Sequence, residues 1–383
     1  MGNIFSEIKE NFGFGCMRLP MKDGEIDLEQ FKEMTDYFLE QGFNYFDTAH
    51  GYHNGQSELA LKEALTSRYP REKYLLTNKL TGYYFKKQEE IRPFFENQLE
   101  WCGVDYFDFY LMHAQTEHEF AKYKECRAYE TALELKKEGK IKHFGISFHD
   151  KAEVLDQILT EYPQVEVVQI QFNYLDYNSS SVESRKVYEV ARKHGKPVLV
   201  MEPVKGGSLV NLPADAQKYI DEANEKLGQH NSNASYAVRF AAGFEGMEVV
   251  LSGMSDMAQL QDNLSYMKDF KALNEVELEA VQGVVGVYRG MDMIPCTACR
   301  YCIEENHCPK DILIPDAFSC MNNKKMFNGW NEDFYYNEVV TANNGKAGDC
   351  IKCGKCEKVC PQHLPIRDYL EEVSAQFDKK EEA

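Results

Sequence analysis

The sequence of 383 residues contains no long uninterrupted apolar run. A helix that crosses a bilayer needs about 18 or more consecutive apolar residues, and no stretch of the chain approaches that length. The first residues, MGNIFSEIKENFGFG, also lack the apolar core of a secretory signal peptide. Met1-Gly2 with Ser6 fits the myristoylation pattern, but no basic cluster follows to supply a second anchoring signal. We therefore expect a cytoplasmic protein that does not bind a membrane.

The chain also lacks an excess of basic residues. It has 43 Lys and Arg against 62 Asp and Glu, which leaves a net charge of -19. A nucleic-acid duplex repels such a surface unless one face is strongly basic, and the sequence has no block of Lys and Arg. We therefore expect no nucleic-acid partner, and no pattern in the sequence indicates an oligomeric state.

Hydrophobic residues make up 43% of the sequence, which is too many for a disordered chain. A domain of about 300 residues buries a full core without disulfides. The 12 cysteines are therefore not needed as staples. Four of them are scattered, whereas eight lie in two tight clusters near the C-terminal end, a distribution typical of metal ligands. Thiols stay available as ligands in the reducing cytoplasm.

Short apolar runs alternate with amphipathic, helix-like segments over most of the chain. The candidate strands are FGFGCM (12–17), FNYFDT (43–48), KYLLTNK (73–79), YFDFYLMH (106–113), KHFGISF (142–148), VEVVQIQF (165–172), PVLVMEP (197–203) and MEVVLSG (247–253). Near-continuous apolar strands that alternate with helices are typical of a parallel sheet covered by helices. Eight such units favour a closed barrel over an open sheet. We therefore predict an α/β fold with a (β/α)8 TIM barrel over residues 1–272.

The pattern changes after the last of these units. LNEVELEAVQGVVGVY predicts a helix that leads out of the barrel, with Asn274 as its N-cap. One apolar face of this helix is predicted to carry Leu278, Val281, Val285 and Tyr288. The stretches DAFSCMNNKKMF and WNEDFYYNEVVTANN between the cysteine clusters also favour helices. We therefore predict that residues 273–383 form this linker helix and a small α-rich, ferredoxin-like domain whose thin core needs bound metal.

The second cysteine cluster, Cys350-x2-Cys353-x2-Cys356-x3-Cys360-Pro361, is the bacterial ferredoxin run for a 4Fe-4S cluster. Three closely spaced thiolates bind three irons of one cubane, and the cysteine before the proline ligates the other cluster when two are present.

The first cysteine cluster has the same opening but a longer arm, because five residues separate Cys302 from Cys308. Since the Cys-Pro thiolate serves the partner cubane, we predict two 4Fe-4S clusters. One would be held by Cys296, Cys299, Cys302 and Cys360, and the other by Cys350, Cys353, Cys356 and Cys308. A pair of zinc ribbons is the alternative, although three cysteines at repeated spacing would crowd a tetrahedral site. Cys320 and His307 are alternative ligands, or else a small buried residue and a solvated histidine.

Four polar residues lie where predicted strands end, and TIM barrels carry their chemistry on that face. Asp47 ends the second strand, Tyr52 follows in its loop, Lys79 ends the third strand and His113 ends the fourth. Each has a purely structural explanation when it is taken alone. Together they predict proton transfer, because an ammonium lowers the pKa of a neighbouring phenol and a carboxylate holds the ammonium in place. The histidine would orient a substrate carbonyl while the phenol protonates its oxygen.

The motifs FGFGCMRLP, FDTAHGY, LLTNKL, DFYLMHA, GKIKHFGIS and SDMAQLQDN occur in the order and spacing of the aldo/keto reductase family. Residues 12 to about 268 resemble that family, and the barrel with two cysteine runs resembles its ferredoxin-containing branch, found mostly in anaerobes. The resemblance implies a catalytic tetrad of Asp47, Tyr52, Lys79 and His113, with Tyr52 as the general acid and base. It also implies that NADP(H) or NAD(H) lies extended across the top of the barrel.

The resemblance further implies the residues that bind the nucleotide. Met17, Arg18, Asp47, Ser147 and Gln169 would contact its nicotinamide half, and Met201, Pro203, Val204, Ser255, Gln259, Asp262 and Asn263 would hold the ring face, pyrophosphate and adenosine end. Three positions depart from the family pattern. Phe148 replaces the usual asparagine, and Met201 replaces the aromatic residue that usually stacks on the nicotinamide. Gln259 replaces an arginine that many relatives offer to a 2'-phosphate. The choice between NADH and NADPH therefore stays open. The N-terminal hairpin that often closes the barrel floor is expected to be shortened.

Two local patterns have a second interpretation. Gly13-Phe14-Gly15 resembles the start of a dinucleotide fingerprint, but Arg18 stands where the third glycine is required, so a Rossmann site is not expected. His50 and His53 flank Tyr52 and would either line the substrate mouth or be solvated loop residues.

Nicotinamide transfers two electrons as hydride and an iron-sulfur cubane transfers one at a time, and no flavin motif connects the two halves. We therefore predict an NAD(P)H-dependent oxidoreductase that reduces an aldehyde, a ketone or a related enone, with clusters that are structural or shape the pocket. One alternative is a redox enzyme whose clusters relay electrons between an external ferredoxin and the barrel. The other is a non-catalytic, nucleotide-binding redox sensor.

Overall fold

The structure is a computed structural model of the chain. It describes residues 4–179, 182–291, 293–294, 296, 300–304, 308–327, 329–360 and 363–378.

The eight predicted strands all form, and they close into a parallel barrel, which confirms the TIM-barrel prediction. They are β1 (Phe12–Gly15), β2 (Tyr45–Asp47), β3 (Leu75–Leu80), β4 (Phe107–Gln115), β5 (Ile141–Phe148), β6 (Val167–Gln171), β7 (Val198–Met201) and β8 (Met247–Gly253). Each strand pairs with its neighbours in chain order, and β1 pairs with both β2 and β8. The strands are buried on both faces, which is why they read as near-continuous apolar runs.

Gly13 and Gly15 of β1 let neighbouring strands of the barrel pack closely. A Cβ on Gly13 of β1 would meet side-chain atoms of Leu251, Val249 and Tyr45 at 2.7 to 2.9 Å. The glycines of Gly13-Phe14-Gly15 therefore lie inside a strand and serve packing, and they form no phosphate-binding turn.

The N-terminal segment closes the floor of the barrel. Phe5 and Ile8 are buried in one cluster with interior side chains of the strands, among them Phe109 and Leu199. No strand forms within residues 4–11, so the floor is plugged by side chains and not by a hairpin. A short hairpin of Met21–Lys22 and Glu25–Ile26, which the sequence analysis did not predict, follows β1 instead.

Helices cover the outside of the barrel. Those of the barrel region are Leu28–Glu40, Gln56–Leu61, Gln88–Cys102, Glu117–Glu125, Ala128–Lys137, Ala152–Glu161, Ser184–Lys193, Ala214–Leu227, Asn233–Ala242, Met257–Met267 and Glu275–Arg289. None of the helices in the described ranges has the length and apolar character that a membrane crossing requires.

The last of these helices begins as predicted and buries most of the predicted face, since Val281 and Tyr288 are buried and Val285 packs against the same cluster. Asn274 caps it and forms a capping box with Glu277, and Glu277 also accepts two hydrogen bonds from Arg239 at 2.6 and 3.0 Å. The buried side includes Ala280, Val281, Val284 and Tyr288, whereas Leu278 is 38% exposed. The prediction for Leu278 is wrong: the neighbouring Glu277 is buried against Arg239, and Leu278 lies on the solvent side of it. The domain boundary near residue 272 stays a prediction, since this helix packs on Ala214–Leu227 of the barrel.

The region after the barrel is rich in helices, as predicted. Its helices are Tyr301–Glu304, Ile314–Phe327, Asn331–Phe334, Lys355–Lys358 and Ile366–Phe377, and a π-helical turn spans Tyr335–Val340. Its core joins Phe318, Tyr336 and Val373 with several cysteines, and Val182 of the barrel also belongs to this apolar cluster. The two parts therefore share a buried interface.

Gly145 of β5 tests the tight packing of the barrel. A Cβ at this position would lie 2.5 Å from Val167 Cγ1 and 2.6 Å from the Val167 carbonyl oxygen. We expect Gly145→Ala to lower the free energy of unfolding by about 1–3 kcal/mol, because backbone cannot yield easily. Gly286 lies in a helix, and no heavy atom lies within 4 Å of the place that an alanine Cβ would take there, so Gly286→Ala should raise stability by about 0.5–1 kcal/mol.

Thermal melts followed by circular dichroism check both substitutions. Equal melting temperatures for Gly145→Ala and Gly286→Ala would contradict the expectation that only Gly145 is tightly packed.

Candidate active site at the carboxyl end of the barrel

The carboxyl end of the barrel brings together the four polar side chains that the sequence analysis placed at strand ends. Asp47 is the last residue of β2, and Lys79 and His113 lie near the ends of β3 and β4. Tyr52 begins the 3-10 turn Tyr52–Gly55, which follows β2. Because parallel strands point the same way, all of these side chains start from one edge of the barrel.

The ammonium of Lys79 is at the centre of this group. The Lys79 side chain is fully buried, and its Nζ donates to Asp47 Oδ1 at 2.6 Å and to the Thr48 carbonyl at 2.9 Å. It also donates to the Tyr52 hydroxyl at 3.3 Å. The second carboxylate oxygen of Asp47 accepts a hydrogen bond from Gln169 Nε2 at 3.0 Å. An ammonium has three protons to donate, so these three acceptors satisfy it and fix it beside the phenol.

The protonation states differ from the sequence expectation. Burial raises the pKa of Tyr52 above its ordinary value, the Lys79 ammonium opposes this, and the Asp47 carboxylate adds to the rise. Burial alone would lower the pKa of Lys79, but Asp47 and Tyr52 outweigh it and the pKa ends above its ordinary value.

The expectation that Lys79 brings the pKa of Tyr52 below its ordinary value is therefore wrong for this chain. The phenol is desolvated, and Asp47 neutralises much of the field of the ammonium. At neutral pH the phenol keeps its proton and the lysine keeps its charge, which is the state required of a proton donor.

His113 is held as a neutral imidazole next to the phenol. Burial lowers the pKa of His113 well below its ordinary value, and the charge of Lys79 adds to this. Its Nδ1 lies 2.7 Å from Thr81 Oγ1, and its ring centroid lies 6.2 Å from that of Tyr52. The pair with Thr81 leaves Nε2 as the nitrogen that a ligand can contact.

His149 is a second imidazole of this site that the sequence analysis missed. It follows β5 directly, and burial, with the charge of Lys79, lowers its pKa to about 4. When it is protonated, His149 lowers the pKa of His113 further. Like His113, His149 lies at the carboxyl end of a strand, where TIM barrels carry their functional residues. Its position in the sequence could therefore have identified it as a candidate site residue.

The loop that carries Tyr52 is fixed by its two flanking histidines, and neither is a solvated loop residue. His50 Nδ1 lies 2.5 Å from a carboxylate oxygen of the buried Glu58, and the His50 ring stacks on Trp101 at 4.4 Å. His53 Nε2 accepts a hydrogen bond from the Leu19 backbone N–H at 3.2 Å. The backbone of this loop includes left-handed residues, among them His53 at φ 50°. The contacts of the two histidines hold the loop in this conformation.

The residues expected near the nicotinamide half lie at the ends of several strands. Gln169 lies in β6 against Asp47, and Ser147 of β5 accepts a hydrogen bond from the Ala114 backbone N–H at 3.3 Å. Met17 and Arg18 follow β1, where Met17 is 38% exposed. The charge of the Arg18 guanidinium acts on Glu202, whose pKa it lowers against the rise that burial causes.

The residues expected at the other end of the nucleotide follow β7 and β8. Met201 ends β7, and the buried Pro203 and the half-buried Val204 follow it. Ser255 Oγ donates to the Arg18 carbonyl at 3.1 Å, and the Ser255 backbone N–H donates to Gln259 Oε1 at 2.9 Å.

Two of the expected residues are engaged inside the protein. Asp262 accepts a hydrogen bond from Ser232 Oγ at 2.7 Å, and the buried Asn263 donates to Ser252 Oγ at 2.9 Å. Their carboxylate and amide groups therefore support the helix Met257–Met267 against its neighbours.

A second buried ammonium, Lys205, lies beyond the end of β7 and was also missed. Its Nζ donates to Asp176 Oδ1 at 2.9 Å and lies 3.4 Å from Glu332 Oε1 of the C-terminal region. A lysine next to glycines in a loop is usually solvated, so the sequence carried no signal for its burial.

The cysteines expected to bind iron lie together in the C-terminal region. Cys308, Cys350, Cys353 and Cys356 line one pocket. Cys296, Cys302 and Cys360 belong to the same apolar cluster as Cys308, Cys350 and Cys356, while Cys299 and the alternative ligand His307 lie outside the described residues. Cys320 instead lines a separate cavity beside Lys205 and Glu332. Within the described residues, no three or more His, Cys, Asp or Glu side chains are grouped as for a single metal ion.

Comparison with a solved structure supports the fold. A crystal structure of an aldo-keto reductase from Klebsiella pneumoniae in complex with NADPH superposes with a TM-score of 0.58 at 19% sequence identity. The match covers 71% of this chain and 89% of that chain.

Two curated relatives are similar in sequence. The uncharacterized oxidoreductase YqkF of Bacillus subtilis (strain 168) is 24% identical over 301 residues, which cover 70% of this chain and 90% of that protein. The NADH-specific methylglyoxal reductase of Escherichia coli (strain K12) is 28% identical over 210 residues, covering 50% of this chain and 61% of that protein.

Two family models match the chain in succession. Residues 11–285 match the aldo/keto reductase family, and residues 295–365 match a 4Fe-4S dicluster domain. The chain therefore belongs to the aldo/keto reductase family of oxidoreductases and carries a 4Fe-4S dicluster domain after its barrel.

Proposed function

We propose that the protein reduces a carbonyl compound with NADPH or NADH, and that Tyr52 is the general acid. The observation that carries this proposal is the buried Lys79 ammonium, which touches both the Tyr52 hydroxyl and the Asp47 carboxylate. A bound reduced nicotinamide supplies a hydride to the carbonyl carbon. The protein must then place a proton on the carbonyl oxygen.

Tyr52 supplies that proton from a protonated phenol. The charge that develops on the carbonyl oxygen is stabilised by donors fixed before the reaction, and such preorganised donors act strongly in a dry site. Lys79 stabilises the phenolate that Tyr52 becomes after it has given up its proton. The neutral His113 donates a hydrogen bond from Nε2 to the same oxygen when Nδ1 accepts the Thr81 hydroxyl proton.

The nucleotide is proposed to lie over the ends of β1, β7 and β8. Arg18 follows β1, and its guanidinium offers the donors that suit a phosphate or amide oxygen of the dinucleotide. Gln259 is uncharged and offers no cation to a 2'-phosphate, so both nicotinamide nucleotides remain candidates. The Klebsiella pneumoniae reductase named above is a complex with NADPH, and the Escherichia coli relative is NADH-specific.

Tyr52→Phe tests this assignment. The substitution removes the proton donor and keeps the ring, so carbonyl-dependent oxidation of NAD(P)H should fall by about 10²–10⁴-fold. Nucleotide binding and iron content should stay unchanged, since the phenol contacts neither cluster in this proposal. Tyr83 is 86% exposed and lies beyond the end of β3, so Tyr83→Phe is the matched control and should keep full activity. Turnover that survives in Tyr52→Phe would contradict the proposal.

We further propose that the C-terminal domain binds two 4Fe-4S clusters. The pocket shared by Cys308 and the cysteines of the second run supports the exchange of ligands between runs that the spacing predicts. A thiolate set of this kind is the donor chemistry that iron-sulfur cubanes require.

Cys308→Ser tests this ligand set. It should lower the iron content from about eight to about four atoms per chain, because one cubane loses a thiolate. Cys320→Ser is the control and should keep the full iron content, since Cys320 lies in a different cavity. Anaerobic purification with iron and sulfide analysis gives the numbers, and unchanged iron in Cys308→Ser would exclude Cys308 as a ligand.

The neutral state of His149 predicts a pH dependence of stability. Its folded pKa of about 4 lies below the ordinary value of 6.5, so the unfolded chain binds more protons between these values. Stability should therefore fall as the pH decreases from 6.5 toward 4, by about 1 kcal/mol near pH 5.5. In His149→Phe this contribution is absent, and the drop in melting temperature between about pH 7.5 and about pH 5.5 should shrink by about 2 °C. An equal drop in both proteins would show that His149 titrates normally.

A further inference from the structure

One short segment of the C-terminal domain contacts the open end of the barrel. We call residues 330–335 the cap segment. Asn331 lies close enough to Glu202, which follows β7, to lower the pKa of that carboxyl, and Phe334 packs on His149, which follows β5. The segment therefore contacts the ends of β5 and β7, and it does so through His149, which lies near enough to Lys79 for the ammonium to lower the His149 pKa.

We propose that the cap segment forms one wall of the substrate site, and that this wall selects uncharged carbonyl compounds with a flat apolar group. The inference rests on the proposed carbonyl reduction and adds a substrate class to it. It also gives the C-terminal domain a direct part in substrate binding.

A buried ion pair anchors the cap segment to the barrel. Lys205 is 4% exposed, and its ammonium lies between Asp176 of the barrel and Glu332 of the cap segment. Breaking one partner of a buried pair leaves an uncompensated charge, which is strongly unfavourable. Lys205 and Glu202 both adopt left-handed backbone conformations, at φ 48° and 56°, so the loop after β7 is bent to present them. The cap segment is therefore held in one position over the mouth.

Aromatic side chains connect the cap segment to the catalytic residues. His149 influences the pKa of His113, and its ring centroid lies 5.4 Å from that of Phe334 in an edge-to-face arrangement. Phe334 in turn lies 6.3 Å from Trp330, which is 48% exposed. Rings at such distances gain from edge-to-face contact with a further flat group. A substrate ring beside Phe334 and Trp330 would keep its carbonyl directed toward the imidazoles.

The charges around the mouth argue against an anionic substrate. Lys79 is paired with Asp47, Lys205 with Asp176, and Lys151 with Asp316 at 2.7 Å. Each of these cations is already neutralised, so none is available for a carboxylate or phosphate of the substrate. Arg18 follows β1, on the side assigned to the nucleotide. A neutral substrate therefore fits this wall better than a keto acid or a sugar phosphate.

Phe334→Ala and Trp330→Ala test the wall in the full holoenzyme. Acetophenone and benzaldehyde serve as flat aromatic probes, and propionaldehyde serves as a small aliphatic one. We expect kcat/KM for benzaldehyde to fall about tenfold or more, mainly through KM, and that for propionaldehyde to change less than about twofold. Nucleotide binding and iron content should match those of the unmodified protein.

The matched control is Tyr106→Ala. Tyr106 precedes β4 and so lies at the opposite end of the barrel, where it stacks with Arg71 and Lys142. The Tyr106→Ala substitution should leave the ratio of kcat/KM for benzaldehyde to kcat/KM for propionaldehyde unchanged. Phe334→Leu is a second variant that keeps an apolar side chain, and it should lose selectivity only in part.

Binding separates this inference from the proposed reaction. Equilibrium dialysis of acetophenone against the enzyme loaded with oxidised nucleotide, which cannot turn over, measures the wall alone. Weaker acetophenone binding in Phe334→Ala and Trp330→Ala than in the unmodified protein supports the wall. Equal binding in all of these proteins overturns it, whether or not the enzyme reduces carbonyls. Absence of carbonyl reduction in the unmodified protein, with acetophenone binding that still depends on Phe334, would overturn only the proposed reaction.

Discussion

The candidate site depends on the pairing of one buried ammonium, that of Lys79. A charge of this kind is stable inside a protein only when acceptors surround it, and Asp47, the Thr48 carbonyl and Tyr52 provide them. These acceptors come from β2 and its loop, whereas the lysine comes from β3. The network around Glu58 and His50 then fixes the loop that carries the phenol. The position of the phenol beside the ammonium is therefore a consequence of satisfying the lysine.

The same requirement appears again between the two halves of the molecule. Lys205 is buried beyond the end of β7, and its acceptors come from Asp176 of the barrel and Glu332 of the C-terminal domain. Docking of the C-terminal domain therefore completes a buried pair and places Phe334 on His149. This arrangement gives the iron-sulfur domain a structural relation to the active site that requires no electron transfer between them.

Sequence reasoning succeeded where a pattern has a local physical cause. The eight apolar runs predicted the barrel strands to within a few residues, and Asn274 caps its helix as expected. Polar residues at strand ends were expected to meet, and the structure brings Asp47, Tyr52 and Lys79 together. Sequence reasoning failed for Leu278, because the neighbouring Glu277 is buried against Arg239, a partner 38 residues away in the chain.

The sequence by itself determined the alternation of strands and helices, the strand ends that carry polar side chains, and the cysteine spacing, because each depends on residues close together in the chain. Only the tertiary structure decided the direction of the pKa of Tyr52, the burial of Lys205 and the contact of Phe334 with His149. These depend on desolvation and on partners far apart in sequence, which no local pattern records. The strand ends thus determined which groups were available, and the packing of the second domain determined what surrounds them.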